Sequence, residues 1–229
     1  MIAFEHVGKR YGGRFEALAH LNFRVARGEM VFLTGHSGAG KTTLVKALAD
    51  TDAKVRVSVS HTTRLMRDGE VEGVDYHFVD SATFDEMVAE NAFLEYATVF
   101  GNCYGTSKNW VIGELQAGHD VILEIDWQGA QQVRKKTDDA ISIFILPPSV
   151  EELGKRLRNR KQDDEATIQR RMEEARSEMS HYSEYDYVLI NQDIDTTIAQ
   201  AQMILDAERL KRRRLAGLSD FVRGLTEGR

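Results

Sequence analysis

The sequence predicts an α/β protein built on a parallel sheet flanked by helices, and three observations predict it. Short apolar runs rich in β-branched residues recur at residues 30–33, 55–59, 121–125, 141–146 and 187–190. Amphipathic stretches long enough to serve as crossover helices separate most of them. The first run leads directly into a glycine-rich loop and then a helix-forming segment, the order of strand, loop and helix that a phosphate-binding turn requires.

Taken from the N-terminus, residues 2–7 and 21–25 alternate in strand fashion and are joined through Tyr11, Gly12 and Gly13, which predicts an antiparallel ribbon over residues 1–28. Gly35, His36, Ser37, Gly38, Ala39, Gly40, Lys41 and Thr42 then fit G-x-x-x-x-G-K-[ST], with Thr43 following. The glycines let successive backbone N–H groups turn inward, the next helix presents its positive end, and Lys41 reaches the outer phosphates of a nucleoside triphosphate. Thr42 offers a hydroxyl for Mg²⁺. Between residues 60 and 106 the pattern changes to short mixed segments, which predicts a small inserted subdomain. Pro147 and Pro148, the two prolines of the chain, stand where the 141–146 strand should end and a helix carrying Glu151, Glu152 and Leu153 should begin. Residues 149–182 read as helical and densely charged, and the chain beyond residue 195 as helical almost to its end.

At 229 residues the chain can bury one core with one or two small excursions. A net charge of −6 argues against a general nucleic-acid binder. Cys103, the lone cysteine, excludes an internal disulfide and suits a reducing compartment. No apolar run approaches membrane-spanning length, and an N-terminus carrying Glu5, His6, Lys9 and Arg10 does not read as a signal peptide. A cytoplasmic location, without membrane or nucleic-acid partners, is the expectation. The seven histidines lack zinc-ligand spacing, and the basic run at residues 211–214 closes a helix, where positive charge suits the dipole.

A second set of residues suits a second substrate. Arg64 and Arg67 follow a strand and lie three residues apart; they are either surface charges or a forked grip on a phosphate dianion, to which Tyr76 and Tyr104 add phenolic donors. Glu95 sits in an apolar segment and Glu124 interrupts a strand, where a carboxylate needs donors unless it turns to solvent. Guanine offers N1–H and an exocyclic amino group that adenine lacks there, so paired buried acceptors select guanine, with Ser60 and Thr106 on the O6 side. Asp126 ends the same strand, placed to order Mg²⁺ through water. Arg156 and Arg160 share a helix face and Arg170 and Arg171 follow. They form either a solvated face or a mobile lid whose arginines arrive on closure.

The motifs SVSHTTR, GEVEGVDYHFV, AFLEYATVFGNCYGTS, VILEIDWQGAQQVR, IFILPPSVEELGKRL and EMSHYSEYDYVLIN, in that order, resemble guanylate kinase. The resemblance runs from about residue 30 to the C-terminus. It implies transfer of a phosphoryl group from ATP to GMP with Mg²⁺, on a P-loop core (residues 29–59, 107–148 and 183–229) bearing a GMP-binding insertion (60–106) and a helical lid (149–182). It implies that the loop from Gly35 to Thr43 and Asn191 bind ATP, with Thr42 and Asp126 at the metal. Ser60, Arg64, Arg67, Tyr76, Glu95, Tyr104, Thr106 and Glu124 would bind GMP. Lys41, Arg156, Arg160 and Arg171 would act at the transferring group. Two departures stand out: Glu124 occupies a position where the family often has Asp, and Lys161 follows Arg160 where glycine is common.

Residues 1–49 resemble instead the start of the ATP-binding subunit of the bacterial cell-division ABC system, a family in which an aromatic at the position of Tyr11 would stack on adenine. A partner-binding role for that leader is a further expectation. The chain lacks an LSGGQ-like signature, and Asp126 is followed by Trp127 rather than glutamate, which argues against a complete ABC-type ATPase; an ABC-type ATPase fragment stands as the alternative function, beside an inactive guanylate-kinase-like interaction module.

Overall fold

The computed structural model describes residues 3–11, 15–24, 28–159, 164–215 and 217–227, the first two segments by their backbone. Five strands form a parallel sheet: β3 (Met30–Thr34), β4 (Val55–Val57), β9 (Asp120–Glu124), β10 (Ala140–Leu146) and β11 (Tyr187–Ile190), in the spatial order β11-β10-β3-β9-β4. The near-continuous apolar composition of β3, β9 and β10 follows from burial on both faces, whereas Val188 and Ile190 of the edge strand β11 are exposed. Alternate residues sort to opposite sides. Val31, Leu33, Ile122, Ile141, Ile143 and Ile145 pack with Leu44, Val45 and Leu48 of α1 (Lys41–Thr51) and with Ala201, Ile204 and Leu205 of α7 (Ile194–Arg209). Phe32, Val121 and Leu123 face Val111 of α3 (Lys108–Ala117) and Ala130 and Val133 of α4 (Trp127–Lys136).

The stretch between β4 and α3 folds as a four-stranded sheet ordered β6-β5-β8-β7, from β5 (His61–Thr62), β6 (His77–Phe78), β7 (Phe93–Val99) and β8 (Asn102–Ser107). It is covered by α2 (Ser81–Ala89), whose Phe84 stacks on Phe93 with ring centroids 4.7 Å apart. After β10 stops at Leu146, α5 (Val150–Asn159) and α6 (Glu165–Met179) form a helical hairpin closed by Leu153, Leu157, Ile168 and Ala175. Short polar side chains start the helices as sequence rules predict: Asp80, Ser107, Asp126, Asp164 and Asp193 each accept from a backbone N–H of the first turn. β1 (Ala3–Tyr11) and β2 (Phe15–Arg24) pair antiparallel, and α8 (Leu218–Thr226) ends the described chain. The helical reading beyond residue 195 is divided in the structure: α7 stops at Arg209, and a turn of 3₁₀-helix (Arg212–Arg214) precedes α8.

Candidate active site

The glycine-rich loop leaves β3 at the carboxyl end of the parallel sheet, where open α/β sheets present their ligands. Gly35 has φ +148° and Gly40 φ +98°. A Cβ at Gly35 would collide with the carbonyl of Ile145, and one at Gly40 with Nδ2 of Asn191, so sterics as well as φ demand glycine at both. Gly40 precedes α1 without a side-chain cap, which leaves first-turn N–H groups for an anion. Lys41 folds back to donate from Nζ to the Gly35 carbonyl. Thr42 donates from Oγ1 to Oε1 of Glu124 at 2.7 Å, and Thr43 is exposed. His36 is 2 % exposed, and burial, helped by the charge of Lys41, lowers its pKa to about 4. It therefore adds no charge to the loop.

A cavity of about 460 Å³ opens beside this loop, between the parallel sheet and the smaller sheet. Lys41, Thr42, Glu124 and Asp126 line it from the core, together with Ser60, Tyr76, Glu95 and Tyr104 from the segment between β4 and α3. Glu95 is 4 % exposed and accepts from Thr106 Oγ1 at 2.5 Å. Its other oxygen lies where a Cβ on Gly129 would be, so a side chain at that position of α4 would displace it. Burial raises the Glu95 carboxyl to about 7, against the lowering effect of Thr106. Tyr76 is pushed to about 12 by burial and by the neighbouring charge of Glu124, which keeps its phenol protonated as a donor. Its ring lies 5.9 Å from that of Tyr104 and 5.3 Å below the guanidinium of Arg64.

Arg64 donates from Nη2 to Glu70 at 2.6 Å and from Nη1 to the Leu65 carbonyl at 2.7 Å. Glu70 also accepts from the backbone N–H of Arg67 at 2.8 Å, so one carboxylate shapes the whole arginine turn. Glu70 was not among the residues expected from sequence; its signal is the acidic residue six positions after Arg64. Arg67 is exposed and lies off the cavity wall, as does Arg64.

Two arginines approach the loop from the helical hairpin. Arg156 donates to Glu152 at 3.1 Å and to the Asn191 carbonyl at 3.1 Å. Arg171 donates to Oγ of Ser37 at 3.4 Å. Arg160 lies outside the described residues. Asn191, expected to bind ATP, is 4 % exposed, and its side chain turns to the loop itself. Nδ2 donates to the Ala39 carbonyl at 2.7 Å and Oδ1 accepts from Thr197 at 3.2 Å. Asp126 accepts from the Gly129 N–H at 2.8 Å, and burial raises its pKa. Glu178, a carboxylate the sequence reading also missed, is raised to about 7 by burial and feels the charges of Lys41 and Asp126. The hydroxyl of Thr42 and the carboxylates of Glu124 and Asp126 are hard oxygen donors on one wall, which suits Mg²⁺, an ion held by one or two carboxylates plus substrate phosphates.

The parallel sheet, the glycine loop and the cationic side chains around it define the class: an α/β P-loop enzyme. Residues 27–208 match the family model described as guanylate kinase, and the chain belongs to the guanylate kinase family. It is 54 % identical over 184 residues to the guanylate kinase of Alcanivorax borkumensis, covering 80 % of this chain and 89 % of that one. With the guanylate kinase of Bradyrhizobium diazoefficiens it shares 54 % over 200 residues, 87 % of this chain and 91 % of the other. The crystal structure of guanylate kinase from Anaplasma phagocytophilum superimposes with a TM-score of 0.73 at 34 % identity, covering 87 % of this chain and 95 % of that one. The family match starts after β2, so the β1–β2 ribbon precedes it.

Proposed function

We propose that the chain transfers the γ-phosphoryl group of ATP to GMP, giving ADP and GDP, within the cavity between the two sheets. The observation that carries the reading is that Lys41 and Thr42 share one cavity wall system with Glu95, Glu124, Tyr76 and Tyr104. A triphosphate on the loop and a guanine on the carboxylates thus meet without either crossing solvent. In this reading residues 60–106 bind GMP and residues 149–182 act as the lid.

The loop N–H groups and Lys41 hold the β- and γ-phosphates. Arg64, Tyr76 and Tyr104 take the GMP phosphate, with Arg67 turning in from its exposed position. Glu95 and Glu124 accept the guanine N1–H and amino group, and Ser60 and Thr106 complete the edge. An oxygen of the GMP phosphate then bonds to the γ-phosphorus as the bond from that phosphorus to the β,γ-bridging oxygen breaks, and ADP leaves with the electron pair. Arg156 and Arg171 spread over the transferring oxygens, joined by Arg160, and stabilise charge where it develops. Thr42 and Asp126, with Glu124 beside them, would hold Mg²⁺, which when bound neutralises charge on the phosphate oxygens. Asn191 braces the loop from below, so its share in ATP binding is exerted through the Ala39 carbonyl and Arg156. In this reading the β1–β2 ribbon takes no part in transfer, because it precedes the segment that matches the family. A reducing cytoplasm suits the free thiol of Cys103, and no helix among the described residues is long and apolar enough to cross a membrane.

The test is coupled detection of ADP with MgATP and each nucleoside monophosphate in turn. The reading predicts turnover that requires GMP and is far weaker with AMP, CMP or UMP. ADP release without GMP would favour an ATPase, and no ADP under any condition would favour an interaction module.

A further inference from the structure

The turn joining β7 to β8 contains two residues, Phe100 and Gly101, with φ of +51° and +78°. Two-residue hairpin turns with positive φ at both positions favour Asn-Gly or Asp-Gly, because a Cβ at the first position is strained. A bulky aromatic there is an outlier, and such strain persists where the surroundings hold it for a purpose. The surroundings in this case belong to another part of the molecule. The guanidinium carbons of Arg170 and Arg171, on α6, both lie 5.3 Å from the centre of the Phe100 ring. Arg171 reaches at the same time to Ser37 in the phosphate loop.

We infer that Phe100 is a positioning residue for the transfer step: its ring fixes the guanidinium of Arg171 over the phosphate loop and ties the tip of the smaller sheet to the helix that carries that arginine. The inference rests on the GMP kinase reading and extends it. A planar cation over an aromatic face is held by the ring quadrupole and loses rotamer freedom before substrate arrives. The reorganisation needed at the moment of transfer falls accordingly. Because the hairpin is part of the GMP-binding sheet, a shift of that sheet on GMP binding moves the ring and the arginine together. Phe100 is 37 % exposed, so the ring contributes little to the core, and its effect belongs to turnover.

The experiment compares Phe100→Leu, Phe100→Gly and Phe100→Tyr with the unaltered protein, which must first show GMP-dependent ADP formation; failure at that stage would count against the kinase reading itself. Leucine keeps an apolar side chain without a π-face. Glycine removes the ring and also relieves the positive φ, so the hairpin survives. The inference predicts a fall in kcat of about tenfold for both, with KM for ATP within about twofold and the thermal midpoint within a few degrees. Tyrosine should retain most of the rate. A double-mutant cycle with Arg171→Lys should be non-additive, the second change costing less than it does alone. Unchanged kcat in Phe100→Leu and Phe100→Gly, or losses that multiply independently with Arg171→Lys, would overturn the inference.

Discussion

Glu95 carries the sharpest consequence at the scale of one residue. In the unliganded protein its carboxyl is raised to about 7 by burial, yet reading guanine N–H donors requires the ionised form. GMP binding should therefore release a proton near neutrality, and KM for GMP should rise as pH falls below 7, by up to about tenfold per unit. Glu95→Gln should raise KM for GMP about 30-fold, the worth of a hydrogen bond to a charged group. It should also flatten the profile; any dependence left belongs to the nucleotide's own phosphate, with a pKa near 6. A wild-type profile no steeper than that of the variant would remove Glu95 from base recognition. The loop glycines, Lys41 and the cavity carboxylates were legible in sequence because each violates an ordinary expectation for its place. Asn191 was legible only as a position. Nothing in a single Asn reveals that its amide will be spent on the Ala39 carbonyl, and Glu70 and Glu178 are acidic residues in acidic stretches whose importance depends on what folds against them.

At the scale of elements, the end of α7 and the following turn are fastened to the base of the sheet by buried charge. Arg209 pairs with Asp52 at 2.7 Å and Asp120 at 2.5 Å, and Arg214 with Glu29 at 2.9 Å. Glu29 is 3 % exposed, and burial outweighs Arg214 to raise its pKa to about 7. The folded value exceeds the unfolded one, so the contribution of this group to stability is fully present below pH 4.5 and is lost as pH rises through 7. Glu29→Gln should thus gain stability relative to the wild type between pH 5 and 8, by about 2 kcal/mol in urea unfolding. A difference that stays constant over that range would contradict the shift. The long strands of the parallel sheet were readable because burial on both faces writes a continuous apolar run. β5 and β6, two residues each, are too short to leave a period. The β7–β8 hairpin escaped notice because Phe-Gly lacks the usual turn signature, and its explanation lies on α6.

Across the whole molecule, a chain of net charge −6 brings Lys41, Arg156 and Arg171 to the phosphate loop and its support and sets Arg64 over Tyr76 on the cavity's far edge, a local field that composition alone conceals. The parts that meet there come from the phosphate loop, the inserted sheet and the α5–α6 hairpin, and two cross-links join them before any nucleotide is present: Phe100 to α6, and Arg156 through Asn191 to the loop. The β1–β2 ribbon precedes the segment that matches the family. Removal of residues 1–26 should leave GMP-dependent turnover within about twofold, since the segment that matches the family begins at residue 27; a loss beyond tenfold with the fold intact would assign the leader a share in the reaction. The positions of the two nucleotides decide the function of the cavity. A crystal structure with GMP and a non-hydrolysable ATP analogue should place the guanine N1 and amino nitrogens about 3 Å from Glu95 and Glu124, with the γ-phosphate on Lys41; a base turned away from both carboxylates would contradict it.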